Sequence, residues 1–342
     1  MEENNRTIFD YLDPSSNDKL SDMRGMDLLD LIVLLNGYYI PLRSTLGFSS
    51  DITFGLELEI ENTDINEIAI MIDESFGEKW DTTGDSTLYD GAEIISPILK
   101  DSIQTWQDLD EVCDIVRPLA SIDNHSGGHI HIGTQLLGGK KQGWLNFIKL
   151  WSVYENIIFR FTYGNFLNAR KTVNEYARAI AMKFWDVYQK SVSSEVDLPL
   201  MIASLSRKRY QAVNFCNINR DSVGSFKQDN TIEFRCPNGS LDPVIWQNNV
   251  NLFVKLLKYA RSSNFDDDLI EKRHRIFDNR YVEFVWYNEI FLEQALELCD
   301  MIFDNNLDKV YFLKQYLKEY RVCQTNSELK RAPQLTKTLI KR

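Results

Sequence analysis

Residues 52–61 read ITFGLELEIE, the clearest strand pattern in the chain. Side chains alternate across a strand with a period of two. Ile52, Phe54, Leu56, Leu58 and Ile60 therefore share one face, and Thr53, Gly55, Glu57, Glu59 and Glu61 share the other. An apolar face of this kind must be covered, and the strand needs neighbours. Further extended segments are expected around Trp80–Tyr89 and Ala92–Ile98, separated by a Tyr-Asp-Gly turn, and at 128–134, 211–218 and 230–236. Helical patterns are expected over 20–38, over 64–76 with Thr63 or Asp64 as N-cap, and over 103–119. A long helical region opens at GGKKQG (138–143) and runs through NFIKLWSVYENIIFRFTYG and NEYARAIAMKFWDVYQK. From Pro243 the chain reads as helices to about residue 323, then as a basic tail. Residues 1–19 read as mobile. There is no internal repeat, low-complexity linker or break in composition. Strands spread from 52 to 236 with helices inserted predict one α+β domain over 1–342, built on a mainly antiparallel sheet with one face covered by helices and a helical extension over 243–342.

Charge narrows the function. The formal net charge of −12 argues against non-specific binding to nucleic acid or to an anionic membrane. Cys113, Cys216, Cys236, Cys299 and Cys323 are scattered, odd in number and without a CxxC pair, which predicts reduced thiols and a cytoplasmic setting. The start, MEENNRTIFDYLDPSSNDK, is too acidic and polar for a signal peptide. LLDLIVLL at 28–35 is too short to span a bilayer and contains Asp30. The Gly-Lys cluster at 138–143 is read as a solvated start to a helix in preference to a phosphate site.

The polar faces of the strands carry the chemistry. Segment 52–61 presents Glu57 and Glu59. Segment 128–134 presents His129 and His131, half of the four histidines, behind Gly127–Gly128. Segment 230–236 presents Glu233 and Arg235, and 92–98 places Glu93 in an apolar run. Any one such face alone is explained by solvation. Together they are almost all carboxylate and imidazole, with one Arg, where a solvated face mixes Lys, Thr, Ser and Gln. Carboxylates crowded on one face repel each other, and a divalent cation removes that repulsion. An oxygen-rich set with one or two imidazoles suits Mg²⁺ or Mn²⁺ better than zinc. The Gly-Gly pair is read equally as a tight turn or as room for a close ligand. The sequence has no His-Glu-x-x-His, GxSxG or Walker P-loop, so those chemistries lose their support.

In chain order the motifs are G-x-E-x-E (Gly55–Glu59), D-S (Asp85, Ser86), E-I-I-S-P (Glu93–Pro97), S-G-G-H-I-H (Ser126–His131), Asn214, and T-I-E-F-R (Thr231–Arg235) followed by G-S-L-D (Gly239–Asp242). This order resembles the amidoligase family, carboxylate–amine ligases with the glutamine synthetase and glutamate–cysteine ligase fold. It covers roughly residues 52–245; the first 50 and last hundred residues match nothing assignable. The resemblance implies a half-barrel of antiparallel strands over helices. It implies Glu57 and Glu59 on different Mg²⁺ ions, Glu93 completing one shell, and Glu233 on a metal near the β- and γ-phosphates of ATP. It places His129 on the metal or phosphate side and His131 beside the carboxylate substrate. Arg235 clamps the transferring phosphoryl group, and Asp85 and Asn214 serve as substrate or supporting groups. The expected partners are a carboxylate and an amine, each a small molecule, peptide or protein. A guanidino-kinase-like phosphotransferase, a metal-dependent hydrolase and a non-catalytic binding module remain as alternatives.

Overall fold

The structure is a computed structural model, and it describes residues 7–164, 170–192, 196–205, 208–219, 230–276 and 291–318. Among the described residues, six antiparallel strands form one open sheet in the order β2-β3-β1-β4-β6-β5, with β1 Phe54–Ile60, β2 Asp81–Gly84, β3 Ala92–Ile95, β4 Gly128–Gly133, β5 Val213–Asn214 and β6 Thr231–Phe234. The fold class is the expected α+β.

The chain divides into two compact units, Leu42–Glu155 with Ala169–Val282, and Met1–Pro41 with Asn156–Asn168 and Glu283–Arg342. The first holds the sheet. Its apolar face carries Phe54, Leu56, Leu58 and Ile60 from β1, Ile94 from β3, Ile130 and Ile132 from β4, and Ile232 and Phe234 from β6, all buried. Helices cover that face with aromatic rings. Trp106 of Ile103–Val116 stacks on Phe54 at 5.4 Å, and Phe253 of Pro243–Arg261 stacks on Phe234 at 4.0 Å. Phe147 and Trp151, on the long helix Lys141–Thr162, also pack against Phe234. Each such pairing adds specific geometry to a large burial of apolar area.

The helices start where short polar side chains can hold the first free N–H groups. Asp64 accepts from Asn66 N at 2.9 Å, Ser102 from Thr105 N at 3.1 Å, and Asp242 from Val244 N at 2.9 Å with Pro243 following it. GGKKQG leads into Lys141–Thr162, and Lys141 Nζ donates to the Ser191 carbonyl at 2.6 Å.

Two expectations are corrected. The helix over 174–190 is broken into Val173–Tyr176 and Ala181–Val192, because Arg178 between them bridges to Gln211. The extended segment 211–218 pairs only over Val213–Asn214, after which Cys216 N turns back onto Asn214 Oδ1 at 2.7 Å. Residues 1–19 include a short helix, Ile8–Tyr11.

In the second unit the described elements are helical: Ile8–Tyr11, the 3-10 turn Leu20–Asp22, Gly25–Asn36, Leu292–Ile302 and Asn306–Leu317, with Asn156–Thr162 of the long helix. Asp300 accepts the backbone N–H groups of Leu20 and Ser21 and pairs with Lys309 at 2.8 Å, and Phe161 stacks on Phe312 at 4.9 Å. The basic tail and Cys323 lie outside the described residues. Among the described residues, Cys113, Cys216, Cys236 and Cys299 are joined in no disulfide. Among the described residues, no helix is long and apolar enough to cross a membrane.

Candidate active site

The strand register brings the charged side chains into three adjacent rows. Directly opposed residues share a face of an antiparallel sheet. The first row pairs Gly55 with His131, His131 with Glu233, and Glu233 with Asn214. The second runs from Ile95 to Glu57 to His129. The third runs from Thr83 to Glu93 to Glu59. Four carboxylates and two imidazoles, drawn from segments up to 176 residues apart, thus meet over a few square nanometres at most.

His129 is the hub and is almost wholly buried. Its Nδ1 lies 2.7 Å from Glu57 Oε2, 3.6 Å from Glu93 Oε1 and 4.0 Å from Glu233 Oε1. Its Nε2 lies 3.2 Å from Glu59 Oε1, close enough for an ion pair but not aligned as a hydrogen bond. His131 Nε2 holds the other Glu57 oxygen at 2.8 Å, and its Nδ1 meets Thr231 Oγ1 at 3.2 Å. Asn214 donates to Glu233 Oε2 at 2.8 Å, and Arg235 Nη1 donates to Glu233 Oε1. Arg235 Nε donates to the Tyr176 carbonyl at 3.1 Å, and the guanidinium lies over the Tyr210 ring.

The electrostatics follow from this crowding. Burial opposes ionisation of Glu57, but the hydrogen bonds and charge of His129 and His131 outweigh it and hold its pKa well below the usual carboxylate range. Burial, with the charges of Glu57 and Glu59, pushes Glu93 upward against its bond to His129. For His129, burial disfavours the cation and Arg235 does likewise. The charge of Glu59 and the bonds to Glu57 and Glu93 prevail, and its pKa rises to about 9.

Two triads, Glu57–His129–Glu233 and Glu59–Glu93–His129, each place their donor atoms within 4.8 Å of one another. The buried His129 Nε2 without a hydrogen bond and the surplus of carboxylate oxygens fit a hard divalent cation. Beside Glu57 and His131 opens a cavity of about 420 Å³, lined also by Gly55, Ile95, Ser96, Pro97, Ile98, Asn217 and Thr231.

Eight of the nine residues singled out in the sequence therefore converge: Glu57, Glu59, Glu93, His129, His131, Asn214, Glu233 and Arg235. Asp85 does not join their hydrogen bonds. It lies just beyond β2 and closes its own turn by accepting Thr87 N at 2.7 Å. The Gly127–Gly128 pair makes room for this chain's own side chains: a Cβ on Gly127 would run into the Arg170 guanidinium, and one on Gly128 would meet Trp246 Cη2 at 2.5 Å.

Sequence reasoning missed two supports. Glu61, the third acid of the alternating strand, accepts from Tyr89 N, His125 N and Ser126 Oγ, and so anchors the turn that leads into β4. Arg170 lies 3.8 Å from Glu59 and donates to the Arg235 carbonyl at 3.2 Å. Glu61 was legible as a member of the polar face. Arg170 stands in NARKTVNEY, which has no periodicity to mark it.

No curated protein matches the chain. Among solved structures, one titled "Crystal structure of novel glutamine synthase homolog" is similar with a TM-score of 0.42 and 10% identity, over 82% of this chain and 69% of that one. Residues 42–257 match the family described as "Putative amidoligase enzyme". That span is more than half of the 342 residues and contains every strand and every member of the cluster, so the chain belongs to the amidoligase family.

Proposed function

We propose that the protein is an ATP- and Mg²⁺-dependent carboxylate–amine ligase that forms an amide or isopeptide bond through an acyl phosphate. The observation that carries this reading is the convergence of Glu57, Glu59, Glu93 and Glu233 on one imidazole, His129, with Arg235 at the edge. Amide formation from a carboxylate and an amine is uphill in water. Transfer of the γ-phosphoryl group to the carboxylate, with ADP leaving, makes an acyl carbon open to amine attack with phosphate as the leaving group. Catalysis of such a transfer is mainly positioning and charge neutralisation, and needs no protein nucleophile.

Glu57 and Glu233 would hold one Mg²⁺ and Glu59 and Glu93 a second, with the single lone pair of a neutral His129 available to either, and with Mn²⁺ as the alternative ion. Ions held there would supply charge neutralisation for a phosphoryl transfer. Asn214 fixes Glu233 by its amide, leaving the other carboxylate oxygen to Arg235. Arg235 uses Nη1 and Nε within the protein, and its Nη2 is the donor left to face a phosphoryl oxygen. His131 orients Glu57 and borders the cavity, which supports a role for it beside a bound reactant. Asp85 is assigned to the substrates at the edge of the sheet. The partners are a carboxylate and an amine, and the reaction belongs in a nucleotide-rich compartment such as the cytoplasm.

Calorimetry with ATP, with and without Mg²⁺, tests the metal bridge: tight binding is expected with Mg²⁺ and loss of it in EDTA. Mass spectrometry of a reaction containing ATP and pooled amino acids or peptides should then show an amide product and stoichiometric phosphate. Equal ATP affinity in EDTA removes the metal bridge, and a phosphorylated product without an amide replaces the ligase with a phosphotransferase.

A further inference from the structure

Glu59 differs from the other acids of the cluster in how its two oxygens are used. Oε2 accepts the Gly127 N–H and lies 3.8 Å from Arg170 Nη1, whereas Oε1 lies 3.2 Å from His129 Nε2. Arg170 is only 3% exposed, and its other terminal nitrogen donates to the Arg235 carbonyl at 3.2 Å. Its segment is pinned to the turn before β4: Lys171 N donates to the Asn124 carbonyl at 2.9 Å and Thr172 Oγ1 to the His125 carbonyl at 3.3 Å. The same guanidinium fills the space that a Cβ at position 127 would take, and that Cβ would also lie 2.8 Å from Glu59 Oε2.

We propose that Arg170 is the positioning residue of the Glu59–Glu93–His129 triad, and that glycine at 127 is required to admit it. The Gly127 N–H bonds Oε2 and Arg170 pairs with it at 3.8 Å, which leaves Oε1 as the Glu59 oxygen turned toward His129 and a cation. The Glu57–His129–Glu233 triad is held by His131, Asn214 and Arg235, and Arg170 does not touch its carboxylates. Arg170 therefore acts on one of the two cation sites. The proposal rests on the metal reading above.

The test is Mn²⁺ binding to the full-length protein, followed by electron paramagnetic resonance and calorimetry, with folding checked by circular dichroism. Wild type is expected to bind two ions. Arg170→Met should weaken one of them about 10–100-fold, the usual effect of losing an outer partner of a metal ligand, and leave the other unchanged. Arg170→Lys keeps the charge and most of the stem, folds more readily, and should recover part of the loss. Gly127→Ala should reproduce the Arg170→Met pattern. In an Arg170→Ala background the guanidinium is gone and only the approach to Glu59 Oε2 remains, so adding Gly127→Ala should weaken Mn²⁺ by much less than it does in wild type, a non-additivity that marks a shared contact. Two undisturbed affinities in Arg170→Met and Arg170→Lys, an equal loss at both sites, or additive effects in the double variant overturn the positioning role alone. A wild-type protein that binds no Mn²⁺ overturns the metal reading and this proposal with it.

Discussion

Arg235→Lys separates the two jobs proposed for one side chain. The guanidinium donates through Nη1 to Glu233 and through Nε to the Tyr176 carbonyl at 3.1 Å, and it is 5% exposed. A Lys ammonium at this position keeps the charge, but it is a point donor and cannot reach both acceptors and a phosphoryl oxygen. Pairing with Glu233 is the nearest and strongest contact, so the ammonium should stay there. The Tyr176 carbonyl then loses a charge-assisted donor, which costs about 1–3 kcal/mol of stability. That is well inside the usual 5–15 kcal/mol for a domain, so the variant stays folded at 25 °C. On the reaction side, loss of one donor aimed at the transferring group costs on the order of 10²–10³ in kcat, or about 3–4 kcal/mol. Ground-state nucleotide affinity should change little, because the cations dominate it. The assay is steady-state kinetics with nucleotide Kd measured in parallel and Tm as the control. Unchanged kcat refutes the clamp and leaves Arg235 as a structural partner of Glu233. A fall in affinity as large as the fall in kcat refutes the claim that the contact is made mainly in the transition state.

Gly128→Ala should destabilise the protein by about 1–3 kcal/mol in urea denaturation, because Trp246 is buried and tied to the Ser240 carbonyl and cannot yield. Gly55→Ala, whose nearest neighbour would be His131 Cβ at 3.7 Å, should cost much less. Burial pushes Glu155 up to about 7 from the ordinary 4.5 despite N–H donors from Trp151, Ile180 and Ala181. The folded state then holds this proton more tightly than the unfolded one, and the group's contribution, about 3 kcal/mol, is full below pH 4.5 and lost by pH 7. Glu155→Gln should flatten the decline of Tm between pH 5 and 8, and parallel slopes for the two proteins would contradict this. His131→Ala should weaken Mn²⁺ about 10–100-fold as an outer partner of Glu57, and His129→Ala, which supplies a donor to both triads, should weaken it more. Mn²⁺ affinity unchanged from wild type in both variants would mean that neither imidazole takes part in the site.

Much of this site was legible one strand at a time. The alternation in 52–61 settled which acids share a face with Glu57, and His129 and His131 were placed together by the same period of two. Glu233 and Arg235, two residues apart, do touch. These are local consequences of backbone geometry, and a single segment contains all the information they need. Weak local signals did worse. Segment 211–218 looked extended throughout, yet only Val213 and Asn214 pair with β6, and the helix expected through Ala177–Ile180 gives way to a bridge with Gln211.

What the sequence determined by itself was where the main strands lie and, for 52–61, 128–134 and 230–236, the chemical character of the polar face. The tertiary structure decided which faces oppose which. Glu57 stands opposite His129 and Glu59 opposite Glu93 because β1 lies between β3 and β4 in one particular register, and a slip of one residue would turn every acid to the other face. It also decided that Asp85 closes its own turn, that Gly127 and Gly128 make way for Arg170 and Trp246, and that Arg170 stands behind Glu59. Those outcomes depend on close packing between segments as much as 118 residues apart, as for Trp246 over Gly128, and no local periodicity encodes contact at that range.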